Sequence, residues 1–211
     1  MSAPGPAPPG GGPVDASGPA AVHSAPFDRE ELKRAQAGDA EALGRFFDHH
    51  FERIFSVVQR FVGSTDAAQD ITQDIFLKVR RHIGRLDIEH DPAPWLFTVA
   101  VNACRDHRRS AWWRVSRRSV PLDRDPDATA LSSDAPNPEQ ALVAAEEEHR
   151  LQAAILRLPP ELRLSVILHD FDGLPHEEIA QVTAISHAAA RKRHSRALRA
   201  LADLLEEGTT P

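Results

Sequence analysis

Cysteine is nearly absent from this chain: among 211 residues, only Cys104 carries a thiol. A single cysteine excludes an intrachain disulfide and any metal site built from several cysteines. It is typical of proteins from a reducing cytoplasm. We therefore predict that Cys104 is a small, buried core residue rather than a reactive one.

Long apolar segments are also missing. No run of the sequence approaches the ~20 apolar residues that a membrane span requires. The N-terminus lacks the basic and apolar segments of a signal peptide. The sequence therefore predicts a cytoplasmic protein without a membrane span.

The chain contains no recognisable catalytic arrangement. Paired carboxylates, a nucleophile with its base and a glycine-rich phosphate loop are all absent at workable spacing. His49 and His50 are adjacent, but neighbouring residues of a helix point in different directions, and no Cys or carboxylate is spaced to complete a metal site. We therefore predict that the protein is not an enzyme and has no cofactor and no metal site.

Composition divides the chain into four parts. Residues 1–26 are rich in Pro, Gly, Ala and Ser and contain no Lys or Arg, which predicts a disordered tail. Apolar residues then recur at helical spacing over 27–114 and again over 139–207, separated by a proline-punctuated acidic stretch at 115–138. The prediction is an all-α fold, with two small helical domains joined by a flexible acidic linker.

A net charge of −6 argues against nucleic-acid binding, but the charge is segregated along the chain. The first basic segment starts at Pro94 as an apolar helix, in which Trp95, Leu96, Val99 and Ala103 should form a core face. Its second half predicts a surface that holds phosphates and stacks unpaired bases. The candidate residues are Asn102, Arg105, Arg108, Arg109, Trp112 and Trp113. The alternative is an ordinary helix end, where arginines favour the macrodipole and tryptophans pack in the core.

Two features come before this segment. Asp70, Gln73 and Asp74 share the polar side of a preceding helix, either as a solvated face or as a docking face for a basic partner. The acidic loop 85–93 then leads into the basic helix. It either walls a pocket for an extruded base or serves as a plain connector.

The second basic surface lies near the C-terminus. A short helix, a turn at 183–185 and a helix capped by Ser186 are the parts of a helix-turn-helix. A recognition helix needs small or polar residues at its first turn and cations farther along, although a solvated basic helix has the same pattern. The candidates are Ser186, His187, Ala189, Arg191, Lys192, Arg193 and Arg196.

Together these segments resemble the extracytoplasmic-function (ECF, group IV) sigma factors of bacterial RNA polymerase, in the sigma-70 family. The resemblance lies in four stretches that follow one another in the family's order. They are residues 66–76, 95–102, 156–173 and 177–197. This chain departs from the family pattern at three places. The family usually has Gly where this chain has Ala184, and an aliphatic residue where it has His194. It usually begins the recognition helix with small and hydroxyl residues and then an aliphatic one, where this chain has Ala188, Ala189 and Ala190.

The resemblance implies a function for each part. Residues 27–114 would be sigma domain 2, which docks on the β′ clamp helices through Asp70, Gln73 and Asp74. Loop 85–93 and Asn102 would capture a flipped base of the −10 element, and the arginines and tryptophans would hold flanking DNA. Residues 139–207 would be domain 4, reading the −35 duplex. The implied partners are core RNA polymerase (β′ clamp helices and β flap), promoter DNA and an anti-sigma factor.

One rival hypothesis comes from a different functional class. A free-standing helix-turn-helix regulator would use the N-terminal half as a dimerisation or ligand domain. Such a regulator binds duplex DNA tightly alone, whereas a sigma factor binds promoters well only with core polymerase.

Overall fold

The computed structural model of the protein describes residues 28–117 and 138–207, with side chains over 28–110 and 143–207. The predicted tail and nearly all of the predicted linker lie outside these residues. Every regular element described is helical, which confirms the all-α prediction. The helices are α1 Arg29–Gln36, α2 Ala40–Val62, α3 Thr65–His82, α4 Ala93–Arg117, α5 Pro138–Arg157, α6 Pro160–Val166, α7 His176–Thr183 and α8 His187–Glu207. A 3₁₀ turn, Ile83–Arg85, follows α3, and a π-helical stretch, Ile167–Phe171, follows α6.

Local capping chemistry sets the first helix boundaries. Asp28 and Asp39 accept hydrogen bonds from the first-turn amides of α1 and α2, as their positions predict. Gly63 ends α2 in the left-handed conformation, with φ of 76°. The cap of α3 is Ser64, whose Oγ accepts from Ala67 N at 3.3 Å, so Thr65 and Asp66 already lie inside the helix.

The core of the N-terminal domain lies where α2 contacts α3 and α4. Phe46 and Val58 of α2, Ile75 of α3 and Ala100 of α4 are fully buried. Cys104 joins them, and burial raises the pKa of its thiol to about 12. It is thus a packing residue, as its apolar surroundings predict.

The C-terminal domain packs directly on the second half of α2. Arg53 donates from Nε and Nη2 to both carboxylate oxygens of Asp172, at 2.9 and 2.8 Å. Arg163 donates to the carbonyl of Phe61 at 2.6 Å. A Cβ placed on Gly63 would lie 2.4 Å from a methyl of Leu156, so a side chain here would force Leu156 to shift. The two domains therefore form one closely packed pair.

The C-terminal domain contains the predicted helix-turn-helix. α7 ends at Ala184, which is left-handed with φ of 57° and ψ of 49°. Ile185 N donates to Ala180 O at 2.9 Å and closes the turn, and Ser186 Oγ accepts from Ala189 N to cap α8. The turn needs a left-handed residue at position 184, where alanine carries a steric cost.

Replacing Ala184 with glycine should stabilise the protein. Relief of the left-handed strain is worth ~1–2 kcal/mol, and the extra freedom of glycine in the unfolded chain removes ~0.4–1 kcal/mol of that gain. We expect urea denaturation to show a net gain of about 0.5–1 kcal/mol. The matched control is Ala202→Gly, in the interior of α8, which should lose a similar amount. A loss of stability in Ala184→Gly would contradict this account of the turn.

Candidate nucleic-acid interface

The predicted single-strand surface lies along one side of α4. Asn102, Arg108 and Arg109 are exposed and Arg105 is half-buried, as binding requires. Trp112 and Trp113 belong to the last turns of the helix, and their side chains lie outside the described residues. An open groove of about 950 Å³ runs between this side of α4 and the start of α6. It is lined by Phe61, Asn102, Arg105, Asp106, Arg108, Arg109, Pro160 and Glu161.

One carboxylate in this groove contacts both predicted DNA surfaces. Glu161 Oε2 accepts from Arg105 of α4 at 3.0 Å and from Arg193 of α8 at 2.9 Å. The carboxylate therefore lies where a DNA phosphate would be expected to bind either arginine. In this closed arrangement, both surfaces share a single internal anion.

Loop 85–93 walls a second cavity, of about 510 Å³, on the other end of α4. Its apolar wall includes Leu86, Pro92, Trp95 and Val99, and Lys78 and Arg85 are among the basic residues that line it. Of the predicted core face, Leu96 and Ala103 are buried, whereas Trp95 and Val99 are only partly buried and pack against the edge of the core. α4 packs on both α2 and α3, which centres its buried face on Phe97, Ala100, Val101 and Cys104 and leaves Trp95 and Val99 half-buried.

Hydrogen bonds within the loop hold this wall in place. Asp87 accepts from Glu89 N at 2.9 Å and contacts His90 Nδ1 at 2.8 Å. Asp91 accepts from Ala93 N at 2.8 Å and so caps α4. These bonds lower the pKa of Asp87, led by the Glu89 amide. The loop is therefore held in one conformation by its own hydrogen bonds.

The predicted docking face on α3 is fully presented to solvent. Asp70, Gln73 and Asp74 are exposed on the side opposite the buried Ile71 and Ile75. Within the described residues, none of the three takes part in a side-chain hydrogen bond or an ion pair. Leu77, one turn farther along, keeps 45% of its surface exposed. The face therefore combines unpaired acids with an apolar side chain.

The recognition-helix candidates are either exposed or half-buried. Ser186, His187, Arg191, Lys192 and Arg196 are exposed, whereas Ala189 and Arg193 are half-buried. Ala188 is exposed as well. Ala190 and His194 lie on the core side of α8, so neither of these departures from the family pattern faces the DNA side.

A cluster of three histidines escaped the sequence analysis. His169 of the π-helical stretch, His176 of α7 and His194 of α8 bring one ring nitrogen each within 4.8 Å of the others. Its members are separated by 7 and 18 residues along the chain, which no single local motif spans. The available signal was His194, a polar residue at a position whose helical spacing with Ala190, Ala197 and Leu201 is that of the core. His50 does not belong to this cluster, and burial lowers the pKa of its ring to about 4.

None of the described helices combines the length and the apolar character needed to cross a bilayer.

Comparison with known proteins decides the family. The sigma-70 region 2 family matches residues 46–114, and the sigma-70 region 4 family matches residues 148–201. The ECF sigma factor BldN of Streptomyces coelicolor is 31% identical over 190 residues, covering 90% of this chain and 70% of BldN. The chain belongs to the ECF sigma factors. Its function is therefore that of a sigma factor in transcription initiation.

Two further proteins place this sigma factor among its relatives. The RNA polymerase sigma-H factor of Pseudomonas aeruginosa is 29% identical and covers 85% of this chain and 94% of its own. The sigma factor RpoE of Bartonella quintana, solved in complex with the anti-sigma factor NepR, shares the fold at a TM-score of 0.64 and 19% identity. That match covers 77% of this chain and 96% of RpoE. The region 2 match identifies the N-terminal half as a sigma region, which counts against the dimerisation or ligand domain of the rival hypothesis.

The shared carboxylate gives a testable consequence. Glu161→Gln removes the charge that holds Arg105 and Arg193, and each exposed pair is worth ~0.2–1 kcal/mol. We expect the free sigma factor to bind duplex DNA about 3–10-fold more tightly, with a salt slope steeper by ~0.9 for each freed phosphate contact.

Fluorescence anisotropy across a salt series measures both quantities. Glu147→Gln is the matched control, because it removes an exposed carboxylate elsewhere in the same domain. An equal gain in both variants would assign the effect to net charge and overturn the role of Glu161.

Proposed function

We propose that this sigma factor docks on core RNA polymerase through α3, reads the −35 duplex with α8 and holds melted −10 DNA on α4. The observation that carries the proposal is the polar face of α3. Its acids stay unpaired, whereas Glu31 and Glu41 on α1 and α2 both bind Arg45. Unpaired acids beside the exposed Leu77 suit a basic, partly apolar partner surface. The β′ clamp helices are the proposed partner.

The −10 site would run along one stripe of α4. Trp95, Val99 and Asn102 follow one another at helical spacing, so the stripe leaves the 510 Å³ cavity and reaches Asn102. An extruded base would stack on Trp95, and Asn102 would offer its amide to a base edge. Arg105, Arg108 and Arg109 would hold the phosphates farther along, with Trp112 and Trp113 stacking on flanking bases.

The −35 site would be the first half of α8. Ser186, His187 and Ala189 lie at the turn that enters the major groove in a helix-turn-helix, and Arg191, Lys192 and Arg196 are placed to contact phosphates. Arg193 would join them only after it releases Glu161. Glu161 of domain 4 (139–207) also binds Arg105 of domain 2 (27–114), so freeing Arg105 for DNA would separate the two domains, with the linker at 115–138 spanning the gap.

Three further assignments belong to this proposal. The catalytic step of transcription falls to the polymerase, so the sigma factor itself is not an enzyme. It acts in the cytoplasm, where that polymerase works. An anti-sigma factor regulates it, by analogy with RpoE and NepR.

The docking face can be tested by titrating labelled promoter DNA with and without core polymerase. We expect weak promoter binding by the sigma factor alone and strong binding with core. The triple variant Asp70→Ala, Gln73→Ala, Asp74→Ala should weaken binding to core by about 10–100-fold, because truncating charged partners at an interface mainly speeds dissociation.

The control removes two exposed acids from the neighbouring helix, Asp48→Ala with Glu52→Ala, and should leave core affinity unchanged. Unchanged core affinity in the triple variant would refute the docking face. Tight promoter binding without core would instead favour the free-standing regulator.

Asn102 should determine part of the −10 sequence preference. Replacing it with alanine removes a base contact, which for a good contact is worth ~1–3 kcal/mol of discrimination. We expect the spread of affinities of the holoenzyme across fork-junction DNAs with single −10 substitutions to shrink by about tenfold at one position. Arg108→Ala is the comparison, because loss of a phosphate contact lowers affinity evenly. An even loss in Asn102→Ala would reassign this residue to the backbone.

A further inference from the structure

The three clustered histidines carry an inference beyond transcription initiation. We propose that His169, His176 and His194 form a binding site for one divalent transition-metal ion of the zinc class, tying together the three segments of the helix-turn-helix domain. The ligands would be imidazole nitrogens, which suit Zn²⁺, Ni²⁺ and Cu²⁺ rather than Mg²⁺ or Ca²⁺. The chain contributes no other group of this kind within the described residues.

Hydrogen bonds at the far side of two rings aim the remaining nitrogens at the cluster centre. His169 Nδ1 lies 2.8 Å from the carbonyl of Leu174, which only accepts, so this nitrogen carries the proton and Nε2 is left as a ligand. His194 Nε2 lies 2.8 Å from Asp170 Oδ2, which leaves Nδ1 as its ligand atom. A carbonyl and a carboxylate behind the rings are the usual outer partners of metal-binding histidines.

The spacing of the ligand atoms is close to that of a tetrahedral site. Zn–N bonds of ~2.0–2.1 Å separate tetrahedral ligands by about 3.3 Å. His176 Nε2 and His194 Nδ1 are 3.2 Å apart and share a hydrogen bond, whose proton moves to His176 Nδ1 when both atoms bind an ion. The whole set lies within 4.8 Å, so the farthest pair must approach by at most about 1.5 Å. Small rotations of half-buried rings can supply this.

The surroundings suit an ion with an open fourth position. His194 is buried, with 10% of its side chain exposed, whereas His169 and His176 are half-buried. Solvent can therefore enter on one side and complete the coordination. The pKa of His176 is lowered, first by burial and then by His169 and His194. The negative charge of Asp170 offsets part of the charge of the ion.

The backbone supplies an independent indication. His169 and Asp170 both lie in the π-helical stretch, where Asp172 N bonds to Ile167 O across five residues. π-Helical turns are uncommon and often occur at functional sites. This π-helical turn widens the helix at His169, a proposed ligand, and at Asp170, whose carboxylate contacts the ligand His194 of α8. His194 thereby gains a role that an aliphatic residue at the same position does not have.

Zinc binding to the full-length protein tests the proposal. Chelator-treated protein is titrated with Zn²⁺ in competition with a chromophoric chelator. We expect one tight ion per chain and a rise in Tm of about 5–10 °C when free Zn²⁺ is 100-fold above Kd. The variant His169→Asn keeps a donor for the Leu174 carbonyl and should lose at least about 100-fold in affinity. Asp170→Asn should lose about 10–100-fold, as outer partners do.

The control is His149→Asn, which removes an exposed histidine of the same domain and should leave the tight step unchanged. X-ray absorption of the zinc-loaded wild type gives a readout that does not depend on how variants fold, and three imidazole ligands are expected. The proposal fails if the wild type shows no tight ion, if His169→Asn binds as well as wild type, or if fewer than three imidazoles are found.

Discussion

The ion pair between Arg53 and Asp172 links the two domains and positions the π-helical stretch that carries part of the histidine cluster. Asp172 has 7% of its side chain exposed and lies directly after the π-helical stretch, whereas Arg53 lies in the middle of the central helix α2. Removing one partner of a buried pair leaves an uncompensated charge, which can cost ~3–5 kcal/mol. The bidentate geometry also fixes orientation. It holds the π-helical stretch, and with it His169 and Asp170, against the N-terminal domain.

The same docking determines which surfaces are open. Arg163 donates to carbonyls at the end of α2 and of α5, and burial lowers the pKa of its guanidinium to about 10. This contact sets the start of α6 beside α4 and so places Glu161 between Arg105 and Arg193. The acidic face of α3 lies outside these contacts. The closed molecule can therefore present its proposed polymerase surface while both proposed DNA surfaces share an internal anion.

Sequence reasoning succeeded where the determining interaction is local. The caps at Asp39 and Ser186 and the glycine at 63 depend on residues within one turn of the chain. The left-handed turn at Ala184 was foreseeable from the family pattern for the same reason. It failed for contacts across long separations: Arg53 and Asp172 are 119 residues apart, and no periodicity relates them. Trp95 lies at the edge of the core rather than at its centre, because a helix packed on two neighbours has a buried face that spacing alone cannot centre.

The closed arrangement raises the question of which contacts could open the two domains. A partner shifts an equilibrium between closed and open molecules only by as much as it favours one of them. The α3 face is exposed in the closed form, so docking there alone favours neither. Opening must be driven by contacts that exist only when the domains separate, such as those of domain 4 or of promoter phosphates that replace Glu161. Ion pairs as exposed as those of Glu161 are worth ~0.2–1 kcal/mol each. The tighter restraint is the Arg53–Asp172 pair, so the open form becomes populated only when new contacts outweigh that pair.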